Sequence, residues 1–227
     1  GRPTVNKIWG EETAVLLGDY MFATAGQLAA ETNNIRVVKL FAETLKIISS
    51  GELNQAANAF NPKQTRQQYI QRIARKTASL FCLAIESGAI LSQAPEESID
   101  ILREYAYNLG IAFQIVDDIL DFTSTEEEMG KPIGADLAQG TLTLPAMLVL
   151  ERYREDNPVK RLFEKRGEQH DIKLAIELVR NSSIIPECYR AASEYTAKAC
   201  QRLNLLPDVP SRRALIGIAN YVVSRKQ

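Results

Sequence analysis

The sequence predicts an all-α fold, and three observations carry that prediction. Apolar residues recur at helical spacing. Val38, Phe41, Leu45 and Ile48 step by threes and fours, as do Ile99, Leu102, Ala106, Leu109, Phe113, Val116 and Leu120, and such steps lay one apolar stripe along a helix. Strict apolar–polar alternation over five or more residues is hard to find, so essentially no sheet is expected. Helix punctuation falls where the periodic runs begin. Thr65 with Gln68 is a capping-box pattern, Asn157-Pro158 reads as N-cap and first-turn proline, and Pro186 does the same for the run to Leu206.

In chain order, helices are expected near 10–31, 35–59, 66–92, 96–124, 141–155, 158–166, 169–181, 185–205 and 210–224. The second carries the stripe from Val38 to Ile48. The third opens at the Thr65 capping box. The fourth carries the stripe from Ile99 to Leu120 and spans on the order of 40 Å at 1.5 Å per residue. Between the fourth and fifth, Ser124 to Gly140 holds Gly130, Pro132, Gly134 and Gly140. A loop of that size between apolar helices of a compact bundle is often functional.

Composition narrows the chemistry. The 227 residues, 45% of them hydrophobic, suit a single domain with an ordinary core. With 27 basic and 28 acidic residues the net charge is −1, which argues against nucleic acid or an anionic membrane surface as a partner. The longest uncharged stretch, Leu137 to Leu150, is broken by Pro145 and falls short of the roughly 18–20 residues of a spanning helix. The one histidine, His170, lies in a polar stretch, which leaves no Ser-His-Asp site and no multi-histidine zinc site. Cys82, Cys188 and Cys200 form no CxxC pair, so a reducing cytoplasm is expected. Carboxylates, amines and amides are left to do the chemistry. Gly1-Arg-Pro-Thr is neither a methionine start nor a signal peptide, and the chain reads as opening mid-protein.

The segment Phe113 to Phe122 places Asp117, Asp118 and Asp121 inside an otherwise apolar helix. At about 100° per residue, with Asp117 at zero, Asp121 falls near 40°, Gln114 near 60° and Asp118 near 100°. The four polar side chains share one arc, flanked by Phe113 and Leu120 on one edge and by Ile115, Ile119 and Phe122 beyond. Like charges on such an arc repel, and more so as water is lost. Cations would neutralise them, and Mg2+ in particular shares carboxylates with phosphate oxygens of a substrate. The following run Glu126, Glu127 and Glu128 reads instead as a solvated acidic stretch.

Phe-Gln-Ile-Val-Asp-Asp-Ile-Leu-Asp, from Phe113 to Asp121, resembles the second aspartate-rich motif of the trans-isoprenyl (polyprenyl) diphosphate synthases. Other segments resemble that family in the same order. Gly1 to Asn6 with Trp9-Gly10, and Leu17 to Ala23, are similar to the part after its first aspartate-rich motif. Arg75-Lys-Thr-Ala is similar to its Lys-Thr motif, Gly130 to Leu137 to its loop after the second motif, and Thr143-Leu-Pro and Tyr221-Val-Val to its later landmarks. The resemblance implies an isoprenoid-synthase-type helical bundle around a central cavity, with residues 1–227 as one domain whose N-terminal helices are missing. It implies Mg-dependent head-to-tail condensation of isopentenyl diphosphate with an allylic diphosphate, a homodimer, and a product able to reside in a membrane.

Carried over residue by residue, the resemblance makes Asp117, Asp121 and then Asp118 the metal ligands, and Lys76 the grip on the allylic diphosphate. Thr77 and Gln114 would stand near the reacting carbon. Lys131 would be the lysine of a closing loop, whose glycine and proline neighbours suit a lid. Gln55 would face the cavity, and Asp136 would either back the metal site or cap the loop. Tyr20, Met21 and Phe22 are expected to line the cavity or join the core. Thr141 stands where many members have another phosphate-facing lysine. The first aspartate-rich motif and its arginine pair would lie before Gly1, so the chain alone is expected to be inactive. The alternative is a non-catalytic regulatory subunit of a heteromeric synthase. A terpene cyclase is a third reading, disfavoured by the Lys-Thr motif and the Gly-Lys-Pro loop.

Overall fold

A computed structural model describes residues 3–125, 132–155, 157–165 and 169–225. Helix α1 (Val5–Glu31) breaks at Gly10, whose φ of 86° is a conformation L side chains rarely adopt. The expected start near residue 10 thus marks a kink, with a further helical turn ahead of it. Helix α2 (Ile35–Ala57) starts where the Asn34 side chain accepts the Arg36 N–H at 3.0 Å. Helix α3 (Arg66–Ile73) starts at a complete capping box. The Thr65 hydroxyl accepts the Gln68 N–H and the Gln68 side chain accepts the Thr65 N–H. The helix then runs through a π-turn (Ala74–Ala78) into α4 (Ser79–Leu91). Spacing of apolar residues does not mark that turn.

Helix α5 (Glu96–Thr123) opens with Glu96 and Glu97 against its positive end. A short helix, α6 (Ala135–Ala138), lies within the expected loop. The rest of the chain forms α7 (Leu144–Arg152), α8 (Pro158–Lys165), α9 (Gln169–Arg180), α10 (Ile184–Leu203) and α11 (Pro210–Ser224). Among the described residues there is no strand. Helix α7 is shorter than the expected 141–155 for local reasons. Pro145 sits in its first turn with Thr143 extended ahead of it. At the other end the Asn157 amide donates to the carbonyls of Val149 and Tyr153, at 3.0 and 2.7 Å, satisfying acceptors a longer helix would have used. Asn157 also caps α8 by accepting the Lys160 N–H.

Helix α5 is the axis of the molecule, packed along its length by α10 and flanked by α4. Its Ile111, Ile115, Ile119 and Phe122 are fully buried with Leu142, Leu148 and Leu162 of the second half of the chain. Burial on that scale, about 25 cal/mol per Å2 of apolar surface, drives the packing. Helix α1 contributes no fully buried residue. Tyr20, Met21 and Phe22, expected as cavity lining or core, are instead more than half exposed together with Trp9, Val15 and Leu16. Among the described helices, the main contact of α1 is with α2. No described helix is long and apolar enough to cross a membrane.

Candidate active site

The aspartate segment emerges from the last turns of α5, and its three acids meet three different environments. Asp117 keeps 43% of its side chain exposed. Asp118 and Asp121 are buried, at 3% and 1%. Asp121 meets the returning loop, whose Asp136 N–H it accepts, whereas one residue of rotation carries Asp118 off the open edge and against α3. There the Tyr69 hydroxyl donates to Asp118 Oδ2 at 2.7 Å, and Gln114 Nε2 donates to Oδ1 at 2.9 Å. The Thr77 hydroxyl in turn donates to Gln114 Oε1 at 2.6 Å. One hydrogen-bonded chain, Tyr69–Asp118–Gln114–Thr77, therefore joins α3, α5 and the π-turn.

Burial raises the Asp118 carboxyl to about 7, and the nearby Asp136 charge pushes the same way. The Gln114 and Tyr69 donors and the Arg72 guanidinium oppose that rise. The Tyr69 phenol is held well above its ordinary value, first by burial and then by the Asp118 charge.

Close helix packing makes the network possible. A Cβ on Gly110 would lie 2.5 Å from Ala78 Cα, so only glycine lets α5 touch the π-turn at this level. Lys76, on the same turn, pairs with Glu52 of α2 at 2.9 Å, both groups about half exposed. A π-turn shifts the residues after it out of α-helical phase, a feature frequent at functional sites.

The loop after the acids returns to them. Asp121 Oδ2 accepts the Asp136 N–H at 3.1 Å, and the Asp121 carbonyl accepts the Gly134 N–H at 3.0 Å. Two arginines from far along the chain brace α5, Arg180 at its C-terminal end and Arg225 at Phe113, within the helix. Arg180 donates to the carbonyls of Phe122 and Ser124, at 2.6 and 2.8 Å. Arg225 lies 4.0 Å over the Phe113 ring, donates to the Phe113 carbonyl at 3.2 Å and approaches Asp117 Oδ1 to 3.9 Å. Arg72 is tied to Gln64 Oε1 at 2.7 Å and to the Leu142 carbonyl at 2.6 Å, and burial lowers its pKa.

One cleft is lined by Gln55, Arg72, Lys76, Gln114, Asp118 and Asp136, with Thr141 also on its wall. Gln55, Lys76, Gln114 and Asp118 were expected at the site and meet there, and Thr77 joins them through Gln114. Asp117 stands on α5 next to Gln114, 3.4 Å from its amide nitrogen. Lys131 and the acidic run at 126–128 lie outside the described residues. Sequence reasoning missed Tyr69, Arg72, Arg180 and Arg225. Only Tyr69 had a signal: it lies seven residues before Lys76, and a core tyrosine needs a partner for its hydroxyl.

Among the described residues, no group of three or more His, Cys, Asp or Glu side chains is arranged to hold a metal ion. A partly exposed carboxylate such as Asp117, with Asp121 one turn along the helix, still fits a cation that takes one or two carboxylates and draws its other oxygens from phosphate. Asp118 fits less well, because donors already occupy both its oxygens.

Comparison with known proteins agrees over the whole chain. A family model described as polyprenyl synthetase matches residues 1–179. The chain is 36% identical over 226 residues to the heptaprenyl diphosphate synthase component 2 of Bacillus subtilis (strain 168), covering 100% of this chain and 65% of that protein. Its fold is similar to the crystal structure of heptaprenyl diphosphate synthase from Staphylococcus aureus, with a TM-score of 0.95 and 34% identity over 100% of this chain and 71% of that one. It is also similar to polyprenyl synthase from Caulobacter crescentus CB15, solved with calcium and isoprenyl diphosphate, with a TM-score of 0.93 and 33% identity over 100% of this chain and 70% of that one.

Proposed function

The chain belongs to the polyprenyl synthetase family, and from that premise we propose that it forms part of a polyprenyl diphosphate synthase. The reaction is head-to-tail: an allylic diphosphate loses its diphosphate, the C4 end of isopentenyl diphosphate bonds to the allylic carbon, and a proton leaves. The observation that carries this reading is the hydrogen-bonded chain from Thr77 through Gln114 to Asp118. It fixes the Lys-Thr segment against the aspartate segment across one cleft.

In this reading Lys76 exchanges Glu52 for the allylic diphosphate, a swap that half-exposed partners permit at little cost. Gln114, its amide held at both ends, offers a preoriented dipole to the charge that develops beside it. Asp118 orients Gln114. Asp117 and Asp121 are the residues that would hold Mg2+, which supplies Lewis-acid assistance to the departing diphosphate when bound. The calcium and isoprenyl diphosphate of the Caulobacter relative are consistent with that donor set.

The exposed apolar side of α1 supports a homodimer, in which a second copy covers Trp9, Leu16 and Tyr20. A second reading is a subunit of a heteromeric synthase, favoured by the relative named as component 2. The three free cysteines suit a reducing cytoplasm.

Product analysis of the full-length protein, given an allylic diphosphate, isopentenyl diphosphate and Mg2+, tests the function. The expected products are a longer polyprenyl diphosphate and inorganic diphosphate, with none formed in EDTA. Asp117→Ala should lower kcat by about 10³-fold with the fold intact, as for loss of a group acting on developing charge. Near-normal turnover in that variant would refute the metal assignment. Turnover without isopentenyl diphosphate would point to cyclase chemistry, and activity only with a co-purified partner would favour the heteromer.

A further inference from the structure

The cleft does not end at Lys76. Gln55 and Arg72 line it and also line a second cavity of about 180 Å3 between α2 and the α3–π-turn segment. The second cavity is walled by carboxamides, among them Asn54, Gln55 and Gln71, and by the guanidiniums of Arg72 and Arg75, with no carboxylate among its lining residues. Arg72 is fixed by Gln64 and the Leu142 carbonyl, and Asp118 and Asp136 partly offset its charge from the groove side. Arg75 is different. It is exposed, and its guanidinium makes no hydrogen bond or ion pair among the described residues. Gly51 faces it from α2, where a Cβ would stand 3.3 Å from Arg75 Cβ, so a larger residue there would narrow the opening.

Size and lining select the ligand. The volume is below the roughly 300–1,000 Å3 of pockets for drug-sized molecules, and amide walls give an isoprenoid chain nothing to bury against. Guanidiniums and amide N–H groups suit phosphate oxygens, which arginine meets in bidentate fashion. We propose that this cavity is a second subsite for a diphosphate group, with Arg72 as its fixed cation and Arg75 as the cation that closes on it. Lying next to Lys76, it gives the anion a place to wait on entering or leaving the groove. The choice of diphosphate over other small anions rests on the function proposed above, whereas the anion site itself rests on the lining.

The test is calorimetric titration of the full-length protein with inorganic diphosphate in EDTA, which removes metal-dependent binding. Arg75→Gln and Gly51→Leu should each weaken an Arg75-dependent binding event at least tenfold, while Arg75→Lys restores part of it. Thermal melting should show all three variants folded. Lys76→Gln should leave that event in place. Adding an allylic diphosphate separates the sources. Displacement identifies the cavity's occupant as the substrate's own diphosphate, and undiminished binding identifies it as the released inorganic anion. Wild-type affinity in both folded Arg75→Gln and Gly51→Leu would overturn the proposal. An Arg75-dependent site in a protein that makes no prenyl product would instead overturn the proposed function and leave the anion site standing.

Discussion

Two donors, the Tyr69 hydroxyl and the Gln114 amide, occupy the oxygens of Asp118, and Tyr69→Phe removes one of them. The buried carboxylate then lacks a partner it had lost water to gain, so stability should fall by about 1–3 kcal/mol in denaturant titration. Protonation is a second handle. Because the folded state raises Asp118 from 3.8 to about 7, it binds a proton more tightly than the unfolded chain. Its contribution to stability in metal-free protein is full below about pH 4 and is lost as pH rises through 7. Asp118→Asn should flatten that part of the pH–stability curve, and an unchanged curve would assign the dependence elsewhere. Helical phase in the sequence foretold that Asp117, Asp118, Asp121 and Gln114 share one side of α5. It did not foretell which acid is covered, because burial depends on what lies opposite, and Tyr69 is 49 residues away.

The contact of α5 with the π-turn depends on a missing side chain. Gly110→Ala would place a methyl 2.5 Å from the Ala78 backbone, and the helices must separate to accept it. A cost of about 1–3 kcal/mol is expected, the usual range for overpacking. Because Thr77 is adjacent to Ala78, prenyl transfer should fall further than the loss of stability accounts for, as kcat measured well below the melting transition would show. Helix starts were legible because caps are local: Thr65 and Asn157 satisfy backbone groups three residues away. The π-turn was not legible, since one extra residue within an apolar helix leaves spacing of threes and fours nearly intact. The arginine contacts on α5 were not legible either, because Arg180 and Arg225 come from far along the chain and their own neighbourhoods name no target.

At the scale of the molecule, the uneven treatment of α1 and α5 is the strongest physical signal. Helix α5 is covered on its packed faces, whereas α1 leaves Trp9, Leu16, Tyr20 and Met21 more than half exposed. A patch of that kind is what the proposed homodimer would cover. Light scattering on the full-length protein should give the mass of two copies, and a charged substitution such as Leu16→Glu should shift it toward one. A single-copy mass in the unsubstituted protein would exclude the dimer. The overall class was legible because periodicity and capping agree along nearly the whole chain, and the Lys-Thr and aspartate segments were legible as motifs. Their convergence on one cleft required the fold. That convergence also bears on how the chain matures. Arg180 reaches back 58 residues and Arg225 112 residues to their acceptors on α5. Helices can form locally within about a microsecond, yet ring closures of such length must await the docking of the tail. The arginine contacts that brace the aspartate segment are accordingly among the last features to form, after the individual helices.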